Sequence, residues 1–591
     1  MLALSSGARG KRRKLRLESR YAFWRNKMEA VVASPLPPRP VPKEFRPKHP
    51  ELMILDDYSG SAPPEYWRTF PSNRDEDSEP PFNMKADKFM AIAEELGITD
   101  QCPVKEVVAD IRYGCDLKIN EAKCPPTWSE NSPSVAKNGV EVADTLAFWT
   151  SDKIVLGPFT EEEVPNDATV IRMATAPKPG SRKIRIIQDM SSPPGRSVNE
   201  ACDRKEYPTH MGGVKELLRA INHCGRGCFM TKNDWVSAYK HLRVLKRQRK
   251  FQWFRFLNRF FIEVCLTFGH VNSPGLYERT AALPVKFTVR TIDFLDFLAI
   301  QHLDDVIAIN SSDEKAWEFF SCYRKICDDL GISLAGLEDP DKAFAPCQRG
   351  LCLGIIFDTV SWRWSLAEEK IFRYVNDVEE LLQKDTATIR EAQSVNGKLI
   401  YMMDLVPGGR YRVSHLMKLA TSSEDMWRRV TITEDIRRDL RWWTRVIILT
   451  KEGMPIPPHR GFVTPPWCAV RGDTDAAGGS LSTPGRGLGA ICDGAWAVLR
   501  WPAIINGDSV AQCCGNRWRF KLTFLEIIGH LLHLVAFPDK VRNKSLVTYI
   551  DNAGSCAVWR KGYDLHCGTT DTILRACDFV AVAMYLSLIH I

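Results

Sequence analysis

The chain has 591 residues, 44% of them hydrophobic and 26% charged, with a formal net charge of +8. That length and apolar content suffice for several packed domains, and the modest basic excess suits a polyanionic partner. Eighteen cysteines without paired C-x-x-C spacing argue against a zinc module and against a secreted disulfide framework. No apolar run reaches the about 18 residues that a membrane helix needs, and the Met1 segment lacks a signal-peptide core. The expected protein is soluble and intracellular with no membrane partner, nucleus or cytoplasm being left open.

The first segments cannot form a core. Residues 9–20 are a basic run, and residues 35–50 are rich in Pro, Arg and Lys. The basic run reads either as a nuclear-localisation or nucleic-acid arm or as a solvated tail. Residues 1–130 are therefore expected to be a basic, Pro-rich, partly disordered extension. From about Val135 the sequence becomes globular. In Lys178–Asp189, Lys183 and Arg185 alternate with isoleucines, the pattern of a strand with one solvated face.

Three carboxylates then stand where apolar runs end or turn. Asp234 closes Cys228-Phe-Met-Thr-Lys-Asn-Asp234, and Asp304-Asp305 interrupts an apolar run from Phe297 to Ile309. The latter predicts two short strands joined by a tight turn with the acids at its tip. Asp56-Asp57 precedes a loop signal and Asp328-Asp329 lies in a polar helical stretch, so only Asp304-Asp305 has strand-like residues on both sides. Gathering buried carboxylates is costly unless a cation neutralises them, which suggests a magnesium site completed by phosphate oxygens and hence phosphoryl transfer. His223-Cys224 with Cys228 offers at most half a metal site and reads better as the flank of a strand.

Helices follow. Ser365-x-x-Glu368 and Thr388-x-x-Glu391 both fit a capping box, each predicting a helix start. Ile371, Val375, Val378 and Leu382 recur at helical spacing, and Pro407-Gly-Gly predicts the end of the second helix. After a linker at residues 451–466 comes a second acid set: Asp475 followed by small residues, Glu526 on an apolar helix, and Asp551 ending the strand-like Leu546-Val-Thr-Tyr-Ile. Gly487–Ile491 fits the strand between the first two. His530 and His533 read as helix-surface residues, and the chain holds no internal repeat.

These motifs together resemble a known family. Asp234-Trp-Val-Ser-Ala-Tyr239, Leu266-Thr-Phe-Gly-His-Val-Asn-Ser-Pro274, His302-Leu-Asp-Asp305 and Cys352-Leu-Gly354 stand in the order and rough spacing of a reverse transcriptase palm. Lys178–Asp189 and Ser197-Val-Asn199 resemble the fingers segment that holds the incoming nucleotide. Ser365-Leu-Ala-Glu-Glu-Lys370 and the helices after it look like the thumb of DIRS-type elements. The second acid set resembles ribonuclease H. From roughly Ile171 to Tyr585 the chain thus resembles the reverse transcriptase/ribonuclease H polyprotein of a DIRS-type, tyrosine-recombinase retroelement. Two positions depart from the pattern: His302 replaces an aromatic and Asn233 an apolar residue.

The resemblance implies a multidomain α+β and α/β protein, a right-hand polymerase of fingers, palm and thumb followed by a ribonuclease H-like domain. The implied layout is fingers and palm over 131–365, a helical thumb or connection over 366–450, and the ribonuclease H-like domain over 467–591. It implies RNA-directed DNA polymerase activity on an RNA or DNA template-primer with deoxynucleoside triphosphates, with oligomeric state left open. Asp234 and Asp304 would hold two Mg2+ ions, or Mn2+, about 3.5–4 Å apart, with Asp305 supporting them. Tyr239 would be the steric gate against a ribose 2′-hydroxyl. Phe268 and Gly269 would pack on the new base pair, Lys183 and Arg185 would meet the triphosphate, His302 the primer end, and Lys342 is a weaker candidate for the motif after the hairpin. Asp475, Glu526 and Asp551 would hold the metals of hybrid-RNA cleavage. The family's fourth acid lies beyond the next helix, and Asp571 precedes that helix, so the chain is expected to end before the ribonuclease H fold is complete. Two other classes fit the same residues: a non-catalytic nucleic-acid-binding relic, and a viral reverse transcriptase of another lineage.

Overall fold

The computed structural model describes residues 64–75, 84–100, 103–177, 184–292, 298–406, 408–457, 470–476, 487–500, 519–541, 546–550, 555 and 558. The basic run at residues 9–20, the Pro-rich stretch at 35–50, Lys183, Pro407, Asp551 and Asp571 lie outside them. The chain divides into two compact units, Met1–Gly212 with Phe229–Cys347, and Gly213–Cys228 with Gln348–Ile591. No described helix is long and apolar enough to cross a membrane.

The first unit carries β1 (Val155–Phe159), β2 (Val170–Pro177), β3 (Ile184–Asp189), β4 (Phe229–Asp234), β5 (Trp253–Phe256), β6 (Arg259–Glu263), β7 (Leu298–His302), β8 (Asp305–Asn310) and β9 (Phe344–Cys347). They form two sheets, in the orders β1-β6-β5-β2-β3 and β7-β8-β4-β9. The second sheet is antiparallel throughout, and the helices Ser273–Ile292 and Asp313–Leu330 pack against each other. The latter packs on β4, β8 and β9. Its ends are chemically marked: the Ser312 hydroxyl accepts from the Lys315 amide, and Gly331 follows the last turn in the left-handed region. Residues 84–130, expected to belong to an extension, instead supply Phe89, Val104, Val107, Leu117 and Ile119 to the core of this unit. The amphipathic helices Ala86–Glu95 and Val104–Tyr113 explain the difference, since their apolar faces need a partner surface.

The second unit contains β10 (Arg349–Cys352), β11 (Ile355–Asp358), β12 (Arg363–Leu366) and β15 (Met454–Pro455) in one sheet. The antiparallel pair β13 (Thr386–Thr388) and β14 (Arg429–Thr431) is separated in the chain by helices, β13 lying between Glu368–Leu382 and Ile389–Met402 and β14 between Ser414–Ala420 and Glu434–Leu449. The Thr388–Glu391 capping box forms in full, each side chain reaching the other's backbone amide. The Ser365–Glu368 box does not: Ser365 pairs with Ile356 inside the β11–β12 ladder, and Ala367 precedes the helix without a side-chain cap. Of the expected stripe only Val378 is fully buried; the covered face runs through Tyr374, Val378 and Leu381, and Ile371, Val375 and Leu382 are half-buried beside it. The following helix stops at Met402, ahead of the Pro407 signal.

A third sheet in this unit has the order β18-β17-β16-β19, from β16 (Val470–Ala476), β17 (Gly487–Cys492), β18 (Ala495–Arg500) and β19 (Leu546–Tyr549). β16 runs antiparallel to β17 and parallel to β19, and helix Arg519–Ala536 packs on β16 and β17. His533 is a core residue and not a surface one: it is buried, and a ring nitrogen lies 3.0 Å from the Ile491 carbonyl. His530 is half-buried with its ring 2.8 Å from the Thr548 hydroxyl. This helix is apolar nearly all round, so periodicity does not say which face is covered.

Candidate active site

Strand register brings the first acid set together. β4 pairs with β8 so that Asp234, the last residue of β4, stands opposite Asp305, the first of β8. β7 pairs with β8 through His302 and Asp305, leaving Leu303-Asp304 as a two-residue turn. The predicted hairpin therefore forms with its acids at the tip. Leu303 sits at φ 51° in the left-handed region. For a branched side chain that conformation costs on the order of 1–2 kcal/mol, so the paired strands and not local preference hold the turn. The Trp235 amide donates to the Asp304 carbonyl at 3.1 Å. Trp235 itself is buried and donates through its indole to the Tyr323 hydroxyl at 2.9 Å, which anchors the end of β4.

Like charges opposite each other on antiparallel strands are destabilising, and two lysines offset them. Lys232 shares a strand face with Asp234 and lies diagonal to Asp305, whose Oδ1 is 3.0 Å from its ammonium. The same ammonium donates to the Asp341 carbonyl at 2.8 Å. Lys342 donates to Asp234 Oδ1 at 3.1 Å. Burial pushes the Asp234 carboxyl above its usual range, Lys342 draws it back, and Asp304 adds to the rise. Burial likewise pushes Asp305 up to about 6, against the pull of Lys232.

Among the described residues no three His, Cys, Asp or Glu side chains are grouped so as to hold a metal by themselves. Magnesium is commonly bound by one or two carboxylates with substrate phosphates filling the remaining positions. Asp234 and Asp304 are hard oxygen donors at one strand end and fit that arrangement, with Lys342 on Asp234 Oδ1 and Lys232 on Asp305 Oδ1. Sequence reasoning missed Lys232, although its two-residue spacing from Asp234 places both on one strand face.

The other candidates of this unit surround the hairpin differently. Tyr239 is buried in a 3-10 turn over Ala238–His241, its ring 4.9 Å from that of Phe268 and 5.5 Å from that of Tyr277. Phe268 is 60% exposed, so the pair forms a platform with one open aromatic face. A Cβ on Gly269 would stand 1.5 Å from the Gln188 carbonyl oxygen, so only glycine lets this loop lie against β3. Asn199 ties the same loop down, donating to the Gly269 carbonyl and accepting from the Val271 amide, both at 2.9 Å. Arg185 is exposed on β3. The His302 ring nitrogen Nδ1 lies 2.7 Å from the Gly212 carbonyl. Asn233 is buried and accepts from Arg324 at 2.9 Å.

The second acid set is not gathered in the same way. On β16, Gly472 and Thr474 lie against the helix that carries Glu526, since Cβ atoms on Gly472 and Gly529 would meet His533 and Thr474. Alternation therefore puts Asp473 and Asp475 on the opposite face. There Asp473 pairs with Arg471, whose guanidinium lies 4.7 Å from the Tyr549 ring. Asp475 is exposed, whereas Glu526 is buried and accepts from the Ala476 amide at 3.2 Å.

No family model matches the sequence, and no curated protein does. Among solved structures, a foamy viral protease-reverse transcriptase in complex with double-stranded DNA is similar at 12% identity and a TM-score of 0.44, over 85% of this chain and 80% of that one. A foamy viral protease-reverse transcriptase in complex with an RNA/DNA hybrid is similar at 13% identity and a TM-score of 0.45, over 83% of this chain and 61% of that one.

Proposed function

We propose that the chain is an RNA-directed DNA polymerase that extends a primer by metal-assisted nucleotidyl transfer, the first unit serving as fingers and palm and the helices of the second as thumb. The observation that carries this reading is the convergence of Asp234, Asp304 and Asp305 at one strand end through β4–β8 register and the β7–β8 turn. Mg2+ held there by Asp234 and Asp304 would lower the pKa of the primer 3′-hydroxyl and stabilise the leaving pyrophosphate. Lys232 keeps Asp305 in place, and Lys342 shares the charge of Asp234. The buried Tyr239 ring, backed by Tyr277, bounds the sugar. The exposed face of Phe268 receives the base pair, and Arg185, with Lys183 before it, supplies charge-assisted bonds to the triphosphate.

A DIRS-type retroelement origin is supported by the motif order and by Ser365–Lys370. The strand order β18-β17-β16-β19 with its single parallel pair supports a ribonuclease H-like domain, within which Asp475, Glu526 and Asp551 are the proposed acids. Primer extension on poly(rA)/oligo(dT) with Mg2+ tests the main reading. The parent is expected to extend and Asp234→Asn to lose activity by about 10³-fold or more while binding the duplex as before, since affinity comes chiefly from Lys and Arg contacts to phosphates. Extension by Asp234→Asn at the parent's rate would remove this site from the chemistry.

A further inference from the structure

Behind the Tyr239–Phe268 platform lies a buried polar network for which the chemistry above has no use. Lys240, next to Tyr239 in the same turn, pairs with Glu263 at the end of β6, and both side chains are almost fully shielded from water. The second carboxylate oxygen of Glu263 accepts from the Gln188 side-chain amide on β3. Gln252 donates to the carbonyls of Glu263 and Cys265 at 2.7 and 3.1 Å, and the Lys240 ammonium sits 4.5 Å from the Trp149 ring centre. Gln188 is also the residue whose carbonyl presses on Gly269.

Taking two charges out of water is costly, and an apolar pair of the same volume often stabilises a fold as well or better. Stability alone therefore does not account for charge at these positions. Directional bonds do something that apolar packing does not, which is to hold several elements at one spacing and orientation. The elements joined here are the turn with Tyr239, the strand with Arg185 and, through the Gln188 backbone, the loop with Phe268 and Gly269.

We infer that Lys240, Glu263 and Gln188 are positioning residues for nucleotide selection, setting the distance between the Tyr239 ring and the Phe268-Gly269 loop and thereby the discrimination against a ribose 2′-hydroxyl. This inference rests on the polymerase reading. None of the three touches the nucleotide; each acts through Tyr239 or Gly269.

The test compares incorporation of deoxyuridine and uridine triphosphates on poly(rA)/oligo(dT), since the two differ only at the 2′ position. Glu263→Gln leaves the Lys240 charge buried without its partner. It is expected to raise KM for the deoxynucleotide about tenfold with kcat within about threefold, and to lower the deoxy-to-ribo efficiency ratio about tenfold. The double variant Lys240→Met with Glu263→Leu removes the stranded charge while keeping volume. It is expected to melt where the parent melts and to keep the lowered ratio, which separates positioning from a general loss of structure. A double variant that discriminates as the parent does overturns the inference and leaves the polymerase reading intact. A parent that extends no primer overturns both.

Discussion

The two acid sets reach their positions by different means. In the first unit, Asp234 and Asp305 are register partners and Asp304 lies in the turn between β7 and β8, so backbone pairing alone gathers the carboxylates. Lys232 and Lys342 offset their mutual repulsion. In the second unit the acids belong to a strand and to the helix packed on it. There, side-chain alternation sends Asp475 to one face of the sheet while Glu526 stays on the other, bonded to the Ala476 amide. Convergence through register is insensitive to side-chain facing at a strand end, whereas convergence between a strand and a helix depends on it. The first arrangement brings its acids to one strand end, and the second has its glutamate serving the backbone.

The largest effect that tests this contrast is catalytic. Asp304→Asn should abolish primer extension, by about 10³-fold or more, while Asp475→Asn should leave extension unchanged. Loss of extension on changing Asp475 would break the comparison.

Next comes acid sensitivity, where the units should differ in pH window. Burial holds His241 and His270 of the first unit down to about 4. Their unfolded forms bind protons near pH 6.5, so the unfolded state takes up protons first and stability falls as pH drops from about 6.5 to about 4. The shift corresponds to about 3 kcal/mol for each ring as an upper figure. In the second unit Lys384, followed by the Thr388 amide, holds Glu391 down to about 2. Its stabilisation is present above about pH 4.5 and is lost only toward pH 2. Glu391 is partly exposed, which reduces the effect to under about 1 kcal/mol. The raised Asp305 carboxyl of the same unit as the two histidines acts in the opposite sense between about pH 6 and 4, so hydrogen exchange followed against pH should find the amides around His241 and His270 loosening before those around Glu391, and simultaneous loosening would contradict the assignment.

Glu526→Ala should destabilise the sheet of β16–β19 by about 1–3 kcal/mol, because it leaves the Ala476 amide without that acceptor, whereas exposed Asp475→Ala should cost under about 0.5 kcal/mol. Equal melting temperatures of the two variants would mean that Glu526 is held for chemistry and not for structure. The smallest effect concerns the cap: Thr388→Ala should cost about 1 kcal/mol in urea unfolding, and Ser365→Ala should lose no cap at all.

What the sequence discloses follows from how local each feature is. The acidic hairpin is legible because alternating apolar residues frame a two-residue interruption, and Asp234 because the apolar run stops there. The Thr388 cap is legible for the same reason, as its partner is three residues away. Ser365-x-x-Glu368 has an identical pattern, but Ser365 is claimed by its ladder with Ile356, a partner no local pattern announces. Lys240 and Glu263 are 23 residues apart and each stands in an apolar context, so their pairing is invisible until the sheet forms. Asp475 follows the expected strand, yet the face it takes depends on which side the helix covers, and the apolar residues on all sides of that helix conceal this.

Gly269 has a consequence for the variation this gene can tolerate. Any β-carbon there would occupy space already filled by the Gln188 carbonyl, a rigid backbone atom that has no rotamer to escape into. Gly489 on β17 has nothing within 4 Å of the same imagined atom. In a library of single substitutions selected for primer extension, position 489 should fill with many residues and position 269 should stay empty. The second glycine is a peptide of ordinary strand, and the first is a keyhole cut to the width of a backbone.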